Sequence, residues 1–557
     1  RVDSTSATRS PAGLGFCAET APCQAAPPAS TTSAGLGVEA VPHASLVPVN
    51  SNEAPENAQA QADDTPEQIQ VRLAKRQRMI DEGLEPYPVE LPVTATIPEI
   101  RSAYTGLGPG EELADVDLGV AGRVMLTRSG GKIAFATLQD GFTPDADAER
   151  LQVMLSRAEI GDEALAGWKS EVDLGDFVWV RGRVVASRRG ELSVMAAQWR
   201  LASKALRPLP VLHKGLSEES RVRQRHNDLI VRPEARAMLR TRARITRTIR
   251  ESLEAQGYLE VEGPVLQTLH GGAAARPFIT HLNAFDIDMY LRIALELHLK
   301  RVMVGGADRV YEIGRVFRNE GVDSSHSPEF TMLEAYQSWG DQFTIAETLR
   351  SVVMDVADAL GVHRIETGRG VIDLDGEWAW LPVHEGLSDR LGRRITPETP
   401  LEELRDAARA NGVAFDEGWG PQKMVVELFG ELVEKDLMAP TFVCDYPEIA
   451  QPLARRHRSK PGCIEAWDLI IGGMERGTGF SELVDPVVQR EILIAQSLAA
   501  SAGDPEAMQL DEDFLSALEQ GCPPMGGLGL GIDRLIMLFP DAGIRETILF
   551  PLLRPQG

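Results

Sequence analysis

An α+β chain is what this sequence predicts, with a small β-barrel followed by a larger domain whose strands and helices alternate around an open sheet floor. Three observations predict it. Five short β-rich segments with barrel-like turn spacing lie between residues 120 and 202. From Tyr258 onward, strands, helices and glycine turns alternate. Between Arg315 and Tyr336 the chain reads RVFRNEGVDSSHSPEFTMLEAY, a strand-loop-strand pattern dense in cationic, acidic and aromatic groups. At 557 residues and 43% hydrophobic content the chain can bury more than one core, and the usual ~100 to 200 residues per domain predicts two to four domains.

Composition narrows the class. A net charge of −25 argues against a surface that binds polyanions everywhere, so any nucleic-acid contact must be local. The five cysteines, Cys17, Cys23, Cys444, Cys463 and Cys522, show no metal or disulfide spacing, which favours a reduced, cytoplasmic protein. No apolar run approaches the ~18 to 20 residues that a membrane helix needs, and the first residues of this sequence lack the charged and apolar regions expected of a signal peptide. The chain opens on Arg1, which leaves open whether an upstream module precedes it.

Residues 1–65 are rich in Ala, Pro, Ser and Thr and poor in large apolar groups, so they read as a disordered tail or linker, with Cys17 and Cys23 as solvated thiols. A charged helix is predicted from Gln68 to about Met79, ended by GLEPYP. The segments VAGRVML, KIAFATLQD, RLQVML, DFVWVRGRVVAS and GELSVMAAQWRLA then predict a five-stranded, OB-type barrel, with polar inserts at GFTPDADAE and around Glu163 to Ser170. Barrels of this type bind single-stranded nucleic acid on one face, and Phe135 and Gln152 are the residues expected there; the competing reading puts Phe135 in the core. Arg221 to Arg250 carries ten arginines and two acids, Asp228 and Glu234. Its second half predicts an amphipathic helix with Met238, Ile245, Ile249 and Leu253 inward, and its arginines read either as a solvated face or as an RNA or subunit contact.

In the Arg315 to Tyr336 stretch, the period of two puts Phe330, Met332, Glu334 and Tyr336 on one face, and Arg318 with Glu320 on a face of the preceding strand. A sheet floor with that chemistry predicts a nucleotide and amino-acid site. Residues from about 342 to 440 are helical in pattern. Near the C-terminus GGLGLG lacks the third glycine of a dinucleotide fingerprint, and no Walker lysine follows. Its glycines instead suit a strand that a ligand approaches closely, with Arg534 in the following helix available to phosphate.

These segments together resemble the three signature motifs of class II aminoacyl-tRNA synthetases: the arginine-rich helix with YLEVE and Pro264, then FRNEG with EFTMLEAY, then GLGLGIDR. Within that class the chain is similar to lysyl-tRNA synthetases through GGAAARPFITH, DMYLRI, RVYEIGRVFRNEG, PLARRH, GFSEL and ETILFP. GVDSSHSPEFTMLEAYQ, WDLI, DPEAMQLDEDFL and GIRET further resemble the synthetase part of actinobacterial two-function proteins that also make lysylphosphatidylglycerol. The resemblance implies a tail at 1–65, an OB-fold anticodon-binding domain at 66–208, and at 209–557 a class II catalytic domain on an antiparallel sheet, with a helical insertion at about 342–440. It implies a lysine-tRNA ligase with ATP, lysine and tRNA(Lys) as substrates, Mg2+ as cofactor and a homodimer as assembly. Whether the product feeds translation or lipid modification stays open.

By the same resemblance, Arg318 joins the lysine carboxylate to the α-phosphate, Arg534 holds the γ-phosphate and His326 lies near the outer phosphates. Phe330 stacks on adenine, which Glu320 orients. Asp468 and Glu475 match the metal-binding acids, although the family has glutamate at the first position. A buried ammonium needs a paired acid, and Glu296, Glu334 and Glu482 supply three. The family match gives the side-chain ammonium to Glu482 with Tyr336, the α-ammonium to Glu296 with the Gly272 backbone, and includes Phe480 in the lysine pocket. Two positions depart from the family: Leu295 stands in place of proline and Thr478 in place of asparagine. They motivate an alternative, a catalytically weak tRNA-binding or regulatory paralogue. An enzyme that lysylates protein is a third reading, opposed by the anticodon barrel.

Overall fold

In the computed structural model, which describes residues 66–210, 215–504 and 507–555, side-chain alternation in the barrel follows the sequence. The expected tail at 1–65, with Cys17 and Cys23, lies outside the described residues. Strands β1 (Glu112–Ser129), β2 (Ile133–Gln139), β3 (Arg150–Ser156), β4 (Phe177–Ala186) and β5 (Leu192–Ser203) close in the order β1-β2-β3-β5-β4. Ala134, Ala136 and Leu138 of β2 point inward with Leu151, Val153 and Leu155 of β3. Phe135 pairs with Met154 and Thr137 with Gln152, so Phe135 and Gln152 share the half-buried outer face and not the core.

One expected loop is a helix. Residues around Glu163 to Ser170 belong to the helix Arg157–Glu171, which buries Leu165 and Trp168 and sets Trp168 edge-on to Trp199 at 5.3 Å. Two apolar residues three apart are enough to dock a short helix whose other face is charged. The N-terminal helix Glu67–Asp81 grips the barrel base: Arg72 donates to the carbonyls of Leu174, Ala205 and Arg207, and Lys75 pairs with Asp173 at 2.8 Å.

The larger domain carries strands β6 (Leu259–Glu260), β7 (Leu266–Gln267), β8 (Ile279–Leu282), β9 (Ile287–Leu291), β10 (Arg309–Phe317), β11 (Glu329–Ser338), β12 (Arg364–Thr367), β13 (Gly370–Asp373), β14 (Ala379–Pro382), β15 (Thr441–Cys444), β16 (Ala466–Ile470), β17 (Glu475–Ser481) and β18 (Met525–Gly531). Eight of them form one sheet, β14-β15-β16-β17-β18-β11-β10-β6, antiparallel except for the pairs at its two edges. One face rests on the helices Pro233–Ala255, Gln342–Leu360 and Ile532–Leu538, burying Ile245, Ile249, Leu253, Leu333, Leu349 and Leu530. The opposite face is free to carry chemistry. The span expected to be a helical insertion is mixed: it holds helices at Gln342–Leu360, Val383–Leu391, Leu401–Asn411 and Pro421–Leu432, but also the hairpin β12–β13 and the edge strand β14. The first of those helices belongs to the main core.

Several arginines of the arginine-rich segment are tied inward, which a wholly solvated face would not show. Arg236 forms a buried pair with Glu149 of the barrel region at 2.8 Å, Arg225 and Arg232 share Asp228, and Arg242 pairs with Asp533. Arginine's five fixed donors suit such internal bridging. No helix among the described residues is long and apolar enough to cross a membrane.

Candidate active site

The free face of the sheet arranges its side chains in transverse rows. Strand register lines up Asp468 of β16, Thr478 of β17, Gly529 of β18, Glu334 of β11 and Glu312 of β10. The next row holds Phe480, Gly527 and Tyr336. Strand β18 alternates glycine with leucine, and its leucines fill the core while its glycines leave the floor open. Gly527 shows why: a Cβ there would lie 2.0 Å from Glu482 Oε1 and 2.6 Å from the Tyr336 ring. The space left by Gly527 therefore serves an acid and a tyrosine as well as a ligand.

Above that floor lies a buried cluster with more acid than base. The helix Glu296–Val304 projects Glu296 and Lys300 from one face, four residues apart. The Lys300 ammonium donates to Glu296 Oε1 at 2.5 Å and contacts Glu482 Oε2. Glu482 Oε1 is buried with no hydrogen-bond partner among the described residues. Glu334 accepts the Leu295 N–H at 2.8 Å and the Tyr336 hydroxyl at 3.1 Å. Burial, and then the nearby Glu296 charge, push the Glu334 carboxyl up to about 8, against the opposing pull of those donors and Arg318. Burial also raises the Glu482 carboxyl well above its ordinary value, and Lys300 counters this only in part. Gly272, with φ +88°, packs beside them; a Cβ would sit 3.3 Å from that of Glu296.

The cationic groups gather beside the acids. Strand β10 ends at Phe317, so Arg318 and the exposed Glu320 leave the sheet and sit in the connecting loop, not on a strand face as the alternation implied. Arg318 donates to the Ile293 carbonyl at 3.2 Å and lies 5.3 Å from the Phe330 ring centre. His326 is held by Asp323 at 2.9 Å and accepts from Arg534 at 3.4 Å. Arg534 also pairs with Glu475 at 3.1 Å.

Asp468 and Glu475 fit a hard divalent cation in their chemistry. Burial, and then repulsion from Glu475, raise the Asp468 carboxyl to about 7, a penalty that a cation relieves. Among the described residues no group of three or more His, Cys, Asp or Glu gathers into a metal cage. Two carboxylates with the remaining positions left to phosphate and water match the habit of magnesium. Thr478 donates to the Trp467 carbonyl at 3.3 Å and lies opposite Asp468, so the departure at 478 keeps a donor beside that acid.

The fold thus gathers Gly272, Glu296, Arg318, Glu320, His326, Phe330, Glu334, Tyr336, Asp468, Glu475, Phe480, Glu482 and Arg534 on or beside one sheet face, whereas Phe135 and Gln152 lie on the barrel. Sequence reasoning missed Lys300, although its spacing from Glu296 in ELHLK was a usable signal. It also missed the buried Arg292–Glu312 pair at 2.5 Å and Asp533, which accepts the Thr331 N–H at 2.7 Å while holding Arg242.

An eight-stranded, largely antiparallel sheet with cationic and acidic motifs on its open face defines a class II synthetase. Residues 217–554 match the model of the class II tRNA synthetases (D, K and N), residues 119–202 match the OB-fold nucleic acid binding domain, and the chain belongs to that synthetase family. Within it the similarity is to lysine–tRNA ligases. The chain is 54% identical over 497 residues to the lysine–tRNA ligase of Kineococcus radiotolerans, covering 89% of this chain and 98% of that protein. It is 54% identical over 504 residues to lysine–tRNA ligase 1 of Mycobacterium tuberculosis strain H37Rv, covering 89% and 99%. To the lysylphosphatidylglycerol biosynthesis bifunctional protein LysX of Nocardia farcinica it is 45% identical over 498 residues, covering 88% of this chain and 43% of that protein.

Proposed function

We propose that this chain activates lysine with ATP to give lysyl-adenylate and pyrophosphate, then transfers the lysyl group to the terminal ribose of tRNA(Lys). The observation that carries the reading is the buried surplus of carboxyl groups: Glu296 and Glu482 share one resident ammonium with Glu334 beside them, and an amino acid with two ammonium groups supplies what is missing. Glu482 and Tyr336 receive the side-chain ammonium, with Phe480 beside them, while Glu296 and the Gly272 backbone receive the α-ammonium. The substrate carboxylate attacks the α-phosphorus, so the protein needs no covalent nucleophile; it positions the reactants and stabilises charge.

Arg318 joins the carboxylate to the α-phosphate, and its stacking on Phe330 leaves the other ring face for adenine, which Glu320 orients. Arg534 and His326 take the outer phosphates. Asp468 and Glu475 hold magnesium, which when bound supplies positive charge to the phosphates. The outer face of β2 and β3, with Phe135 and Gln152, is the anticodon face. The helix Pro233–Ala255 and the exposed edge strand β6, where Leu259 is 62% exposed, form the homodimer seam. The free thiols of Cys444, Cys463 and Cys522 suit the cytoplasm.

Pyrophosphate exchange assayed with each amino acid, with and without tRNA, and then lysyl transfer to tRNA, tests the reading. Exchange should depend on lysine and transfer should require tRNA(Lys). Exchange driven best by an amino acid with an uncharged side chain would overturn it.

A further inference from the structure

Among the described residues Lys300 is the cation that bridges two members of the acid cluster, and nothing in the reaction above assigns it a task. It is 1% exposed, and its ammonium bridges one oxygen of Glu296 and one of Glu482. Phe480 covers it from β17, with its ring centre 5.8 Å away. Glu334 and Tyr336 face the cluster from β11, Arg318 from the loop after β10, and the Cys522 thiol from the segment before β18.

Two features argue that this ammonium is a fixture and not a stand-in that the substrate evicts. The third acid, Glu334, is already engaged by Leu295 and Tyr336, so a displaced ammonium would be buried with no free carboxylate to take it. Each bridged acid also contributes only one oxygen to Lys300, and Glu482 Oε1 stays unpartnered in the interior. Tyr336 and Cys522 stay neutral, because burial raises both. Three carboxyl groups against one ammonium leave two acids unmatched, and a diamino acid brings two ammonium groups.

We infer that Lys300 is a specificity-determining residue: its ammonium stays in place when substrate binds, clasping Glu296 to Glu482 so that their remaining oxygens face the two ammonium groups of a diamino acid. Its charge opposes the rise that burial imposes on the Glu296 and Glu482 carboxyls, and its bridge sets their separation. This inference rests on the lysine reading of the pocket given above.

The experiment compares wild type with Lys300→Met and Lys300→Gln in lysine-dependent pyrophosphate exchange across pH 6 to 9, with norleucine as the competitor that lacks the side-chain ammonium. Both variants should lose about thirtyfold or more in kcat/KM for lysine at neutral pH, with the KM for ATP unchanged. Their pH profile should climb more steeply and level off about one unit above that of wild type, because two acids have lost the cation that ionises them. Preference for lysine over norleucine should fall by about tenfold or more. A lysine KM that is unchanged or tighter would mark Lys300 as a displaced placeholder and overturn the inference. An equal loss for ATP and lysine with an unshifted pH profile would mark a structural role and overturn it too. Should neither variant fold, crystals of wild type soaked with lysine decide: Lys300 Nζ must remain within hydrogen-bond reach of both carboxylates, and its withdrawal from either refutes the inference. Wild-type exchange that does not depend on lysine would instead strike the reading of the pocket, and the two failures are therefore distinct.

Discussion

Two buried charge clusters in this molecule look alike and behave oppositely. At the base of the barrel, Lys204 pairs with Asp173 at 2.6 Å and Asp176 at 2.7 Å, while Lys75 pairs with Asp173 at 2.8 Å. Two acids there meet two lysines. Burial alone would raise the Asp173 carboxyl, but Lys204 and Lys75 outweigh it and hold the group below its ordinary value. In the sheet pocket Glu296 and Glu482 share Lys300, and Glu334 beside them, with no lysine of its own, is driven up to about 8. A balanced cluster has finished its work when the chain folds, whereas an unbalanced one still needs a partner. The surplus, more than burial or strand register, marks the functional site.

The contrast breaks most sharply at Glu482. Glu482→Gln leaves a bound substrate ammonium unpaired and should cost ~3 to 5 kcal/mol of transition-state stabilisation in lysine-dependent exchange, while stability is kept or raised. Retention of wild-type kcat/KM within about threefold would remove Glu482 from the site. Lys204→Met makes the opposite test: it should cost about 3 kcal/mol of stability in denaturant unfolding and leave lysine KM unchanged in the folded fraction.

A pH series sharpens the comparison. Glu334 titrates near 8 when folded, above its ordinary carboxylate value of 4.5, so its protonated form is the one that favours the empty fold. Its contribution to stability is complete below 4.5 and is lost as pH rises through about 8. Lysine binding favours the ionised form, so lysine affinity should rise from pH 6 through about 8 and level off above it, and the thermal shift that lysine induces should grow over the same range. Calorimetric titration at several pH values reads both effects, and a flat affinity would detach Glu334 from the substrate. The smallest effect is expected at Leu295, whose N–H donates to Glu334. Leu295→Pro deletes that donor and should weaken lysine kcat/KM at neutral pH by about fivefold, close to 1 kcal/mol. An unchanged kcat/KM would show the bond to be dispensable.

Much of this was legible in the sequence because strand chemistry repeats every two residues. The face shared by Phe330, Met332, Glu334 and Tyr336, and the five barrel strands, follow from that period alone. Arg318 and Glu320 escaped it because β10 stops at Phe317, and periodicity cannot report where hydrogen bonding ends. The helix at Arg157–Glu171 was hidden by its charge, since only Leu165 and Trp168 are buried. The inward pairs of the arginine run stayed hidden for another reason: its partners Glu149 and Asp533 lie far away in the chain, so their proximity depends on the tertiary fold. Lys300 was visible as a helical neighbour of Glu296, but its bridge to Glu482 spans 182 positions and needed the sheet to form.

The glycines of β18 carry a lesson for re-engineering. Most attempts to retune an amino-acid pocket change the residues that touch the ligand, yet here the cavity is moulded partly by atoms that Gly527 does not have. Even alanine at 527 would collide with Glu482 and Tyr336 before any substrate arrived. A library aimed at other cationic amino acids should therefore hold that strand invariant and vary the walls. The bare strand beneath the acids and Lys300 is thereby a constraint on every variant built upon this pocket.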